Sequence, residues 1–267
     1  MSDSTILNAL LVQPELRWED HAENRQHLES MIAKAYSNST GRTGAGVVFL
    51  PETFTTGFLG DQGQDAESMD GETVSWMKAM AGKHDAAIGG SVVIEEAGQR
   101  FNRFLLVTPT GKVSAYDKRH LFAFQGEDRK YAPGKKRVVV DYEGWRICLQ
   151  VCYDLRFPAW CRVRDDYDLL VFVANWPEKR ANAWCSLLRA RAIENQSYVV
   201  GVNRVGVDGR GLNYRGDTLA FDPLGEELLN LGDEAGSGFA QLDLEKLRKI
   251  RTELPFLADA DRIEILS

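Results

Sequence analysis

The chain has 267 residues, 44% of them apolar, and a formal net charge of −7. A chain of this length buries about three quarters of the surface its unfolded form exposes, so it can build a full core without disulfides or metals. The acidic balance leaves no broad basic face for a nucleic-acid backbone, which excludes nucleic acid as an expected partner. The first apolar stretch, 6–12, has no basic flank and is too short for a signal peptide or a membrane span. It reads as the first strand of a single domain, 1–267, expected to be cytoplasmic and to have no membrane partner.

In chain order, apolar runs bounded by turn residues predict strands over 5–12, 47–50, 86–93, 104–108 and 112–116. Six more follow over 137–141, 145–151, 169–174, 198–203, 218–222 and 239–242. Helical spacing covers 21–36, 73–83 and 183–196, and in the last Trp184, Leu187, Leu188, Arg191 and Ile193 recur at three- and four-residue steps. Strand, helix, strand in the outer thirds predicts α/β layering. The hairpin-like runs over 86–151, with turns at Thr110-Gly111 and Glu143-Gly144, predict antiparallel pairs and hence mixed sheets. Lys135-Lys136-Arg137 reads as a solvated turn, and the apolar tail 255–267 as a segment that docks on the body or on a partner.

Two segments, GVVFLPE at 46–52 and ICLQVCYD at 147–154, each deliver a reactive side chain just beyond a buried strand, and DLLVFVANWP at 168–177 ends in a loop in the same manner. Ligands of α/β sheets gather outside the carboxyl ends of strands, so Glu52, Cys152 and the loop 175–177 are expected to share one pocket. Cys148, Cys161 and Cys185 read as small buried apolar residues. Cys152 differs, because a strand end followed by a turn exposes its sulfur and aims the Tyr153 amide at whatever the sulfur attacks. A thiol needs a partner for its proton: a carboxylate at Glu52, where burial favours a general base working near neutral pH, or His120 in a cysteine–histidine dyad. His21, His27 and His84 lie in or beside predicted helices and read as surface or packing residues. Lys118 alone is an ordinary lysine; beside a thiol it would favour thiolate and neutralise an oxyanion.

Three local sequences, LPETF at 50–54, YDKRHLF at 116–122 and VCYDLRFP at 151–158, occur in this order. With RARAIENQSYVVGVNRVG at 189–206 and YRGDTLAFDPLGE at 214–226, the chain resembles the nitrilase, or carbon–nitrogen hydrolase, superfamily along nearly its whole length. ETFTTGF, YDKRHLF, CYDLRFP and VANWP are similar to its omega-amidase branch, which hydrolyses the side-chain amide of 2-oxo acids such as 2-oxoglutaramate. The resemblance implies a four-layer αββα sandwich with mixed sheets, paired as a homodimer. It also implies roles: Cys152 as nucleophile, Glu52 as acid and base, Lys118 with the Tyr153 amide as oxyanion holders, and Glu127 as a second carboxylate orienting Lys118 or the substrate, with Asp128 beside it as the competing choice. Arg156 matches a structural residue of the family that could instead meet a substrate carboxylate. Phe58, Phe122 and Trp176 are the expected pocket walls.

No cofactor and no metal are expected, since zinc would require clustered Cys and His spacing. Three other readings compete with hydrolysis of a 2-oxo dicarboxylic acid monoamide. The same triad serves another small amide, a nitrile or an N-carbamoyl compound; the acyl-enzyme passes to an amine, as in an N-acyltransferase; or the chain is a dimeric interaction module without catalysis.

Overall fold

The computed structural model describes residues 5–38, 46–58, 60 and 66–265. One six-stranded sheet is built from β1 (Ile6–Gln13), β2 (Gly46–Phe49), β3 (Ala86–Glu96), β4 (Gln99–Val107), β5 (Val113–Asp117) and, on the far edge beside β1, β14 (Gly236–Asp243). A second holds β6 (Val139–Tyr142), β7 (Trp145–Val151), β8 (Leu169–Val173), β9 (Tyr198–Val202), β12 (Leu219–Phe221) and β13 (Glu227–Asn230), in the order β13-β12-β9-β8-β7-β6. β10 (Val205–Val207) and β11 (Asn213–Arg215) form a small separate ribbon.

Each large sheet has a parallel centre and antiparallel flanks: β1, β2 and β3 run parallel in one, β7, β8 and β9 in the other. The central strands read as near-continuous apolar runs because both of their faces are covered. Their inner faces meet in a core containing Leu11, Phe49, Phe104, Leu149, Val171 and Val200. Helices α1 (His21–Asn38) and α2 (Glu72–His84) cover the outer face of the first sheet, through Leu28, Ile32, Met77 and Met80. On the outer face of the second sheet, Trp184, Leu188 and Ala192 of α4 (Ala181–Asn195) pack against Phe172 and Phe221. The result is helix, sheet, sheet, helix, the mixed α/β layering expected from the sequence.

All eleven expected strands are present. The short β10, β11, β13 and α3 (Pro158–Cys161) carry too few periodic apolar residues to stand out in sequence, whereas α5 (Leu244–Glu253) has Leu244, Leu247 and Ile250 at three-residue steps, a helical signal that the sequence reading missed. Two expectations are corrected. Ile193 is 51% exposed, because it lies off the stripe set by Trp184, Leu188, Ala192 and Asn195. Arg137 leaves the solvated turn to pair with Asp166 and to donate to Arg162 O at 2.8 Å, whereas Lys135 and Lys136 are exposed. The tail folds back on its own body, with Leu257 and Ile265 packed against two different core clusters; the expectation for 266–267 falls outside the described residues. Among the described residues, no helix is long and apolar enough to cross a membrane.

Candidate active site

Four strand ends converge. Glu52 follows β2, Lys118 follows β5, Cys152 follows β7 and Asn175 follows β8, which places their side chains where α/β sheets collect ligands. Lys118 is held there by its own backbone: its N–H donates to Asn102 O at 3.0 Å and its carbonyl accepts from Gly134 at 2.8 Å. Gly134 has no alternative at this point, since a Cβ would sit 1.9 Å from Asp117 O and push the lysine strand end away.

Glu52, Lys118 and Glu127 are fully buried together. The Lys118 ammonium donates to Glu52 Oε1 at 2.8 Å and lies 2.9 Å from Glu127 Oε2. Asn102 Nδ2 bridges the same two carboxylates, at 2.8 Å to Glu52 and 3.1 Å to Glu127. Main-chain amides complete each acid: Asn175 N–H donates to Glu52 Oε2 at 2.8 Å, and Phe122 N–H donates to Glu127 Oε2 at 2.6 Å. Glu52 therefore has fixed orientation on both oxygens, and its charge bears on the Cys152 thiol. Between the two acids offered by the sequence the geometry is plain, since Glu127 is buried on Lys118 and Asp128 is exposed.

Burial opposes charge on Lys118, but Glu127 and Glu52 outweigh it and hold the ammonium well above the ordinary lysine range. Burial, reinforced by Glu52 and opposed by Lys118, raises the Glu127 carboxyl. For Cys152, burial and then the Glu52 charge push the thiol well above its usual range, while Lys118 pulls the other way. The resting sulfur is thus a thiol beside a carboxylate. Cys148 is likewise pushed up, to about 11, by burial, and neither it nor the buried Cys161 lines the pocket.

The backbone at Cys152 is left-handed, with φ 45° in a residue that is not glycine. Such a conformation costs on the order of 1–3 kcal/mol and persists only where surrounding structure enforces it. Buried Asp154 supplies the enforcement: it accepts from Val151 N–H at 3.0 Å, Tyr116 OH at 2.8 Å and His120 N–H at 3.0 Å, tying the turn after β7 to the end of β5. Tyr153 follows in the first turn of the short helical segment Cys152–Arg156, where amides have no partner within the helix. His120 is committed elsewhere, with Nδ1 2.8 Å from Asp154 Oδ1 and its ring stacked on Phe157 at 3.8 Å. The cysteine–histidine dyad therefore does not form.

Around the sulfur lies a pocket with about 350 Å³ of empty space, its open mouth included. Its lining includes Glu52, Lys118, Cys152 and Tyr153 together with Phe58, Phe122, Trp176 and Arg156, so each wall residue expected from sequence is at the site. Phe58 faces the Lys118 ammonium at 5.2 Å and Arg156 lies over the Trp176 ring at 4.9 Å. Sequence reasoning missed Asn102, Asp154, Gln125 and Arg180. Asp154 stood inside CYDLRFP and could have been found there, whereas a lone Asn within the buried run of β4 carries no signal. Among the described residues no group of three or more His, Cys, Asp or Glu is arranged to hold a metal.

Residues 9–252 match the family model described as carbon-nitrogen hydrolase. The chain belongs to the carbon–nitrogen hydrolase family. It is 44% identical to an omega-amidase YafV of Yersinia enterocolitica over 98% of this chain and 100% of that one. A 2-oxoglutaramate amidase of Bacillus subtilis is 31% identical over 93% of this chain and 95% of that one. In structure, this carbon–nitrogen hydrolase matches XC1258 of Xanthomonas campestris, a CN-hydrolase superfamily protein crystallised with an arsenic adduct in its active site. The TM-score is 0.92, at 43% identity over 97% and 99% of the two chains.

The buried charge cluster carries a stability prediction for this hydrolase. Lys118→Met leaves two buried carboxylates without their ammonium, which is expected to cost about 3–5 kcal/mol. Glu127, already raised by burial, is raised further; a carboxyl whose folded pKa exceeds its unfolded value favours folding at low pH and loses that contribution as pH rises. The deficit is therefore largest near neutrality and shrinks as pH falls toward about 4.3, the ordinary glutamate value. Urea unfolding at a series of pH values checks both the size and the sign.

Proposed function

We propose that this chain hydrolyses the terminal amide of a small 2-oxo dicarboxylic acid monoamide, 2-oxoglutaramate or 2-oxosuccinamate, to the 2-oxo acid and ammonia. The observation that carries the reading is one pocket in which a thiol, a carboxylate and an ammonium meet with no histidine among them. Full-length similarity to proteins named omega-amidase and 2-oxoglutaramate amidase supports the substrate class.

In this mechanism Glu52 takes the thiol proton as Cys152 attacks the amide carbon, which avoids paying for a free thiolate beside a carboxylate. Lys118 and the Tyr153 amide receive the oxyanion. Glu52 then gives the proton to the departing nitrogen, ammonia leaves, and the acyl group remains on Cys152 as a thioester. A water, deprotonated by Glu52, attacks the thioester carbon to give a second oxyanion, whose collapse breaks the C–S bond and frees the acid while Glu52 returns the proton to the Cys152 sulfur. Glu127 holds Lys118 in position, and Phe58, Phe122, Trp176 and Arg156 contact the substrate. No cofactor enters the cycle. We read 1–267 as one catalytic domain working as a homodimer, and four cysteines without a disulfide suit a reducing, cytoplasmic setting.

Ammonia release from 2-oxoglutaramate, compared with glutamine, asparagine and a simple nitrile, tests the substrate class. We expect kcat/KM for the 2-oxo amide to exceed each of the others by about two orders of magnitude, because glutamine and asparagine bring an ammonium into a pocket that already holds cations. Turnover of the nitrile alone would transfer the site to the other reading of the same triad.

A further inference from the structure

Arg180 stands in the loop between β8 and α4, lines the nucleophile's pocket and is half-buried. Its guanidinium lies over the Phe122 ring at 5.2 Å, as that of Arg156 lies over Trp176 at 4.9 Å. Neither has a carboxylate partner among the described residues. Arg103, Arg137, Arg146, Arg191, Arg210 and Arg251 each meet an acid, whereas Arg119, Arg189 and Arg204, like Arg156 and Arg180, lie over an aromatic ring without one among the described residues; of these five, Arg156 and Arg180 are the two that line the nucleophile's pocket. Glu178, the acid nearest to Arg180 in sequence, is engaged by Asn213 instead.

Both aromatic platforms are anchored to the catalytic cluster. Phe122 N–H donates to Glu127, and Trp176 follows Asn175, whose N–H donates to Glu52. Trp176 also links the two arginine segments, since its indole N–H donates to Arg180 O at 2.8 Å while its ring carries Arg156. The two guanidinium groups are thereby fixed relative to Cys152 with their donors unspent, the arrangement a bidentate anion site requires. Formal charge agrees. Lys118, Arg156 and Arg180 set three cations against Glu52 and Glu127, an excess of one positive charge in a chain whose total is −7.

We propose that Arg180, with Arg156, binds the single carboxylate of the amide substrate, and that Arg180 sets the preference for anionic over neutral amides. This rests on the amide-hydrolase reading for its substrate and extends it to the group recognised at the far end. One carboxylate neutralises the excess charge; a second would face Glu52 and Glu127 at the thiol end, so the reacting end must be uncharged, as an amide is.

Succinamate and butyramide form a matched pair of nearly equal size, differing by a carboxylate against a methyl. The native protein is expected to favour succinamate, and Arg180→Gln to lower the succinamate-to-butyramide ratio of kcat/KM by about 10- to 100-fold, mainly through KM for succinamate. Arg180→Lys keeps the charge but not the planar fork and should recover part of the ratio. A loss shared equally by both amides would make Arg180 a prop of the pocket wall, and an unchanged ratio would remove it from recognition; either result overturns the proposal. If the native protein hydrolyses neither amide, the carboxylate site is judged separately from turnover, by protection of Cys152 from iodoacetamide; the hydrolase reading fails only if 2-oxoglutaramate is left intact as well. Succinamate should then protect native protein better than butyramide and lose that advantage in Arg180→Gln, whereas equal protection by the two amides sinks the proposal.

Discussion

Cys152→Ala is expected to lower ammonia release by at least about 10⁴-fold while leaving the protein folded. Among the described residues the pocket offers no second nucleophile, because Cys148 and Cys161 do not reach it and His120 is held by Asp154. What remains is Glu52 acting on water without a covalent intermediate, a route that forgoes nucleophilic catalysis entirely. Little of the fold depends on the sulfur, whose polar contact is a weak one to Asn175 O at 4.0 Å. Alanine inherits the left-handed backbone at φ 45° with the same strain that cysteine bears, so the turn neither gains nor loses a reason to hold its shape. Thermal unfolding should shift by only a few degrees, consistent with loss of about 1 kcal/mol of packing. A variant that folds and still releases a tenth of the ammonia would exclude the thioester.

The fold was legible where burial writes itself into the chain. Central parallel strands such as β7 and β8 are covered on both faces and appear as unbroken apolar runs, so their existence and even their ends at Cys152 and Asn175 followed from sequence. The edge strand β13 escaped for the opposite reason: at the rim of its sheet it exposes three of its four residues and alternates weakly. At the site, residues that do chemistry sit just beyond apolar runs and were found. Of the residues that hold them in place, Glu127 and the loop 175–177 were read from the sequence, whereas Asn102 and the hold of Asn175 on Glu52 were not, because the partners are distant in sequence. Asn102 reaches Glu52 across 50 positions from two strands away in the same sheet, and Asn175 reaches it across 123, a pairing that only the stacking of one sheet on the other creates. Arg180 escaped differently. A basic residue in a polar loop is ordinary until the structure shows that it has no acid beside it and a nucleophile across the pocket.

The electrostatics of the cluster make Glu52→Gln the sharpest test of the proton's path, because two properties of one cysteine should move in opposite directions. Amide hydrolysis is expected to fall about 10²- to 10⁴-fold, the usual contribution of a positioned acid and base. Alkylation of Cys152 by iodoacetamide should instead quicken. In the native protein the thiol is held up by burial and next by the Glu52 charge, with Lys118 opposing. Removing that charge leaves Lys118 to stabilise the thiolate, so the thiol pKa drops and the thiolate fraction at neutral pH rises, by roughly tenfold or more. Over a pH series the native alkylation rate should still be climbing past about 8.5, the ordinary cysteine value, while the variant levels off earlier. Some stability is lost as well, about 1–3 kcal/mol, because the glutamine amide must present a donor to either the Lys118 ammonium or the Asn175 N–H. Hydrolysis and alkylation falling together would mean that Glu52 only props the pocket. Hydrolysis rising with alkylation would mean that the free thiolate is the working nucleophile and that the proton never passes through Glu52.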